Sequence, residues 1–191
     1  TQAAGAIPIN VKNFKCDALI CSGYKWLGGH GGVGLAVLSN ELIKSTPLMP
    51  GWMGARNPFD ISHQELDLAE GAKRFTQSTM SYISLKGLEV SIQEILKIGV
   101  DNIDNHAQRL KRYFLSHLNK SNFQTFHQKN IPTSSHIVSI FDPKKNISRV
   151  AKLLSKNNIF CSIRNGYLRV SFAHYNNQSD IDKLLSILKE D

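Results

Sequence analysis

Negative charge is the scarce sign in this chain. There are 15 Asp and Glu against 23 Lys and Arg among 191 residues, a formal net charge of +8. Such a balance invites a nucleic-acid partner. The basic residues are dispersed, however, and the one dense cluster, "RLKRYF" (Arg109–Phe114), sits on a helical pattern whose other face is apolar. A solvated helix face accounts for that cluster, and no nucleic acid is expected. Long apolar runs are also missing, none reaching the ~20 residues of a membrane span, so no membrane partner is expected. Cysteine is rare: Cys16, Cys21 and Cys161 are odd in number and lack zinc spacing. They form no disulfide framework and no metal motif. Reduced thiols in a cytoplasmic protein are the expectation, with Cys16 and Cys21 as core residues in or beside an apolar strand. A secretory opening is absent. The first residues, "TQAAGAIPIN", lack an initiator Met and read like the interior of a longer protein. No internal repeat or low-complexity tract is present.

What is present begins with "SGYKWLGGHGGVG", Ser22–Gly34. One lysine, Lys25, has no carboxylate beside it in sequence and precedes a run with five glycines in seven positions. Apolar runs of strand length flank it, "DALICS" (Asp17–Ser22) and "GVGLAVLS" (Gly32–Ser39). Thr46 to Thr79 has no clear period and reads as a long irregular segment, of the kind that serves function or an interface. Met80, Ile83, Leu88, Ile92, Ile95 and Leu96 fit a helix closed near Gly99. Ile103, Ala107, Leu110, Phe114 and Leu118 mark a second helix.

"HIVSIF" then reads as a strand, and Ile147, Val150, Ala151 and Leu154 as a helix. "IFCSIRNGYLRVSF" reads as two strands turning at Asn165-Gly166, a type I′ hairpin signal. Alternation puts Leu168, Val170 and Phe172 on one face and Tyr167, Arg169 and Ser171 on the other. Ile181, Leu184, Leu185 and Leu188 mark the last helix. The second half is thus an α+β unit of helices on a small, mostly antiparallel sheet.

In this order, "DALICSGYKWLGGHGGVG", the upstream "TQAAGAIPINV", the downstream "RFTQST" (Arg74–Thr79) and "YLRVSFAHYNNQSDIDKLL" resemble the class V aminotransferase family. That family depends on pyridoxal 5′-phosphate and includes the cysteine desulfurases. The resemblance covers essentially the whole chain. It implies an α/β fold: the C-terminal part of a pyridoxal-phosphate-dependent transferase. Residues 1–98 would hold the last strands of a large doubly wound domain with the lysine loop and an interface segment. Residues 99–191 would form the small C-terminal α+β domain.

The resemblance also implies roles. Lys25 would form the internal aldimine with the cofactor. Ser22 and Tyr24 would hydrogen-bond its phosphate, and Gln2 its 3′-oxygen. Thr79 would reach the phosphate of a neighbouring subunit in a homodimer, and Arg169 would bind the substrate's α-carboxylate. The chemistry suits these types. A cofactor lysine must be nucleophilic near neutral pH, a phosphate needs hydroxyl and backbone donors, and a carboxylate matches the guanidinium fork. Each residue has a plainer structural alternative. Ser22 can end a strand, Tyr24 can pack over the turn, Thr79 can cap the helix near Met80, and Arg169 can pair with a surface acid. His30 reads as a loop residue, and Arg164 as lying apart from the site.

Two departures from the family are visible. The aspartate that would meet the pyridinium nitrogen lies before Thr1 in the family pattern, so the isolated chain is expected to be a poor catalyst. The sulfur-accepting cysteine of a desulfurase sits on a loop well upstream of the carboxylate-binding arginine. Here the candidate, Cys161, falls in a predicted strand eight residues before Arg169. The expected activity is therefore an aminotransferase-like or lyase-like reaction on an amino acid. A desulfurase or selenocysteine lyase is one alternative, and a non-catalytic binding or dimerisation module another.

Overall fold

The structure is a computed structural model and describes residues 1–60, 62, 65–118, 121–126 and 135–190. Contacts divide the chain into two units, Thr1–Ile98 and Gly99–Asp191. Among the described residues no helix is long and apolar enough to cross a membrane.

In the first unit, a turn at Ala3–Ile7 leads to a short helix α1 (Val11–Phe14), capped by the Asn10 side chain. Strands β1 (Ala18–Ser22) and β2 (Gly34–Leu38) pair antiparallel from Ala18↔Leu38 to Ser22↔Gly34, with the glycine loop between them. Ser39 accepts a hydrogen bond from the Leu42 N–H and so starts helix α2 (Asn40–Lys44). The segment from Thr46 to Thr79 is irregular, as its lack of period predicts, apart from 3-10 turns at Trp52–Gly54 and Gly71–Phe75. Residues 61, 63 and 64 of that segment lie outside the described residues.

Helix α3 (Tyr82–Ile98) follows, and Gly99 closes it at a φ of 87°. Its expected stripe is only partly buried. Leu88 and Ile95 are inside, but Met80, Ile83 and Leu96 are exposed. The inward face runs through Gly87, Leu88, Ser91 and Ile95, because small residues let the glycine loop approach the helix. Apolarity alone does not reveal that face.

The second unit follows the sequence closely. Helix α4 (Val100–Leu118) buries Ile103, Ala107, Leu110, Phe114 and Leu118. Strands β3 (Gln124–Thr125), β4 (Ile137–Phe141), β5 (Ser162–Arg164) and β6 (Tyr167–Ser171) form an antiparallel sheet in the order β3-β4-β6-β5. Strand β3 carries no alternation and is legible only from the structure. Val138, Ile140, Leu168 and Val170 point to one face, where α4, α5 (Ile147–Lys156) and α6 (Gln178–Glu190) cover them. Asn165 and Gly166 take φ of 49° and 79°, the two positive values a type I′ turn requires. The hairpin therefore has the tight connection the Asn-Gly pair predicts.

Two expectations need correction. Cys16 is exposed rather than a core residue, since it precedes β1 and does not join its inward face; Cys21 is buried as expected. The "RLKRYF" cluster is not wholly a solvated face. Lys111 is 7% exposed and donates to the Ser135 carbonyl at 2.8 Å. It sits one position beyond the stripe of α4, next to Leu110. Burial lowers its pKa from the ordinary lysine value.

Candidate active site

Strand β1 delivers the chain to Ser22, after which the backbone turns sharply. Gly23 N–H donates to the Val33 carbonyl at 2.8 Å, and Gly29 N–H donates back to the Gly23 carbonyl at 2.9 Å. These bonds close the loop that carries Tyr24 and Lys25. Both side chains are exposed, with the Lys25 ammonium 5.6 Å from the centre of the Tyr24 ring. Tyr24 is 53% exposed.

Three supports hold the loop. The opening segment folds against it: Ser22 N–H donates to the Thr1 hydroxyl at 3.0 Å. A side-chain carbon added at Gly5 would stand 2.6 Å from the Trp26 carbonyl, so the backbone there can approach only as glycine. Helix α3 packs from the other side. A carbon on Gly29 would fall 2.8 Å from Leu88 Cδ1, and the Ser91 hydroxyl donates to the Gly28 carbonyl at 2.9 Å. His30 lies over Gly87 of the same helix. The glycines therefore let a rigid helix brace the lysine loop at backbone distance. Thr1, Leu88 and Ser91 carry this support, and the sequence reading did not single them out. The four-residue spacing of small residues at Gly87 and Ser91 was the available signal.

Ser22, Tyr24 and Lys25 thus stand at one end of the β1–β2 ribbon, and Gln2 follows Thr1, whose hydroxyl accepts from the Ser22 N–H. Thr79 is exposed in the segment before α3. It does not start the helix, which begins at Tyr82. Ser81 takes that position, with its carbonyl accepting from Leu85 N–H at 2.9 Å and its hydroxyl bonded to Ser84. Arg169 belongs to the second unit. It is half-buried on β6, opposite Ser139 of β4 and Ser162 of β5, on the sheet face away from the helices.

Cys161 lies one residue before β5 rather than within it. It still packs against the core of the second unit, and burial pushes its thiol up to about 11. Such a thiol is overwhelmingly protonated at neutral pH. Among the described residues no group of three His, Cys, Asp or Glu could hold a metal ion.

An accessible amine on a braced, glycine-rich loop, beside hydroxyl donors at a strand end, is the kind of site that holds a phosphorylated carbonyl cofactor. The family model Aminotransferase class-V matches residues 1–184. The chain belongs to that family, an enzyme family of the aminotransferase and lyase kind. A protein of Pyrococcus abyssi named "Probable cysteine desulfurase" is 26% identical over 99% of this chain and 50% of its own length. A Bacillus subtilis protein named "Uncharacterized aminotransferase YcbU" is 26% identical over 94% of this chain and 47% of its own. The apo cysteine desulfurase of Thermococcus onnurineus NA1 matches with a TM-score of 0.85 and 25% identity, over 99% of this chain and 50% of that one. The fold is therefore that of the pyridoxal-phosphate-dependent desulfurases, and the chain spans about half the length of the relatives it matches. A further fold match, at 0.84 and 21% identity, is a C-DES mutant with glycine covalently linked to its pyridoxal-phosphate cofactor.

Proposed function

We propose that this chain contributes the cofactor lysine and the carboxylate-binding arginine of a cytoplasmic pyridoxal-phosphate-dependent enzyme that acts on an amino acid. The observation that carries the reading is the exposed Lys25 on a loop fixed by Gly23, Gly29 and helix α3. The donor set fits pyridoxal phosphate: an amine for its carbonyl, and the hydroxyls of Ser22 and Tyr24 for its phosphate. When bound, the cofactor supplies an electron sink for charge developing at the substrate's α-carbon. Lys25 Nζ holds the cofactor and carries a proton to and from that carbon. Gln2 donates to the cofactor ring oxygen. Arg169 holds the α-carboxylate through its planar fork, which a strand orients better than a loop would. Thr79 reaches the phosphate bound by a second copy, so the working form is a homodimer.

A desulfurase reading draws support from the relatives' names. The persulfide route needs a mobile thiolate, and Cys161 is packed with a raised pKa. An aminotransferase-like or lyase-like reaction is therefore placed first. Assays for α-keto acid, alanine and sulfide on the natural polypeptide that carries this chain separate the readings. Keto-acid formation without sulfide from cysteine is expected. Stoichiometric alanine and sulfur transfer, abolished by Cys161→Ala, would replace the leading reading with the desulfurase.

A further inference from the structure

The sheet of the second unit has an uneven charge distribution. Strands β3 to β6 carry two charged residues, Arg164 and Arg169, and no Asp or Glu. The register decides how the two arginines relate. Ser162 pairs with Arg169, and Arg164 with Tyr167, so Arg164 is the diagonal neighbour of Arg169 across the β5–β6 ladder. Residues two apart on a strand share a face. Arg164, Ser162, Arg169 and Tyr167 therefore share the sheet face opposite the helices. The sequence leads to the expectation that Arg164 lies apart from the site, yet the tight hairpin keeps it on the sheet face of Arg169. With two turn residues, no loop intervenes to carry Arg164 away from β6. Diagonal neighbours stand about 7–8 Å apart, within joint reach of two long side chains.

The register also sets the neighbours of Arg169 on this face. Tyr167 turns from Arg164 toward the far strands, stacking edge-on with Phe141 and Phe126 at centroid separations of 5.2 and 4.9 Å. The side chains directly flanking Arg169 on both neighbouring strands are serines, Ser139 and Ser162. Arg164 stands exposed at the edge strand. The face is thus an aromatic wall, a hydroxyl-lined floor holding one guanidinium, and a second guanidinium at the rim.

From this geometry we infer that Arg164 is a specificity residue and that the substrate is an amino acid with a second carboxylate in its side chain. The inference rests on the reading of Arg169 as the α-carboxylate clamp. One guanidinium fork matches one carboxylate, and a second fork on the same rigid face selects a second. A neutral side chain would leave Arg164 without its ligand, and the difference between the two cases is the specificity. Strand placement fixes the spacing of the two forks, which favours one chain length of dicarboxylic amino acid over another.

The test compares isosteres in the natural polypeptide loaded with pyridoxal phosphate: aspartate against asparagine, and glutamate against glutamine. The expected result is a kcat/KM ratio of acid to amide of roughly 30-fold or more for one pair. Arg164→Gln should bring that ratio toward one, while Arg164→Lys should retain part of it. Arg169→Ala should instead lower acid and amide together. Direct binding of succinate relative to butyrate, measured by calorimetry, gives a second readout of the same preference, independent of turnover. No preference for either acid, or a preference indifferent to Arg164→Gln, overturns the inference. If Arg169→Ala leaves both members of each pair unaffected, the clamp reading has failed, and the inference fails with it. A normal Lys25 cofactor adduct without acid preference overturns the substrate class alone.

Discussion

The two units differ in how completely they enclose their own strands. In the second, the strand residues Val138, Ile140 and Leu168 are each 0% exposed, under three helices. In the first, the β1–β2 ribbon leaves Ile20 75%, Leu35 39% and Val37 38% exposed. A two-stranded ribbon has little independent stability. Its lysine end is nevertheless well defined, because the glycine loop packs on α3. Stability and site construction are therefore separate in this chain. The second unit is held by a buried core, and the glycine loop by backbone proximity to one helix.

The largest expected effect breaks this contrast at the core. Leu168→Ala removes a fully buried side chain and should destabilise the second unit by about 2–5 kcal/mol. Ile20→Ala, on the exposed ribbon, should cost less than about 0.5 kcal/mol. Urea unfolding followed by hydrogen exchange in each unit measures both. Equal losses would show that the ribbon is covered as well as the core.

Next in size is the brace. Gly29→Ala forces a carbon to within 2.8 Å of Leu88 and should cost about 1–3 kcal/mol in the first unit. Both tryptophans, Trp26 and Trp52, lie in that unit, so fluorescence-detected unfolding reports it selectively. The losses from Gly29→Ala and Leu88→Ala should be less than additive, because Leu88→Ala removes the Cδ1 atom that the new carbon meets. An unaltered midpoint in Gly29→Ala would show that the loop is not held against α3.

A smaller effect depends on pH. His136 is 4% exposed, and burial lowers its pKa, with Arg169 and Lys111 adding to the shift and Asp104 opposing it. The unfolded chain then binds a proton more readily than the folded one in the interval just below the ordinary histidine value. Stability contributed by neutral His136 should therefore decline as pH falls through about 6.5 toward its lower folded pKa. Replacing it by Asn should flatten that limb in pH-dependent thermal unfolding. An acid limb that persists unchanged would assign the loss to other groups.

Legibility in the sequence followed the same division. The helices and hairpin of the second unit were readable because one apolar stripe per helix meets one alternating strand face. Asn165-Gly166 supplied the turn unambiguously. Helix α3 and its end at Gly99 were readable, but its contact surface includes Gly87 and Ser91, which hydrophobic patterning ignores. Strand β3, Gln124–Thr125, is too short to show a period. The lysine loop was visible from its glycines, but its supports, Thr1 and Ser91, act through single hydrogen bonds to the backbone. The pairing of Arg164 with Tyr167 was implicit in the two-residue Asn165-Gly166 turn, which fixes the hairpin register.

The central claim is that Lys25 holds the cofactor, and borohydride reduction tests it most directly. The natural polypeptide carrying this chain, incubated with pyridoxal phosphate and reduced, should yield one covalently modified peptide. That peptide should contain Lys25, and Lys25→Ala should abolish the modification along with the visible absorbance of the bound cofactor. A reduced adduct on a different lysine, or one that survives in Lys25→Ala, would contradict the account.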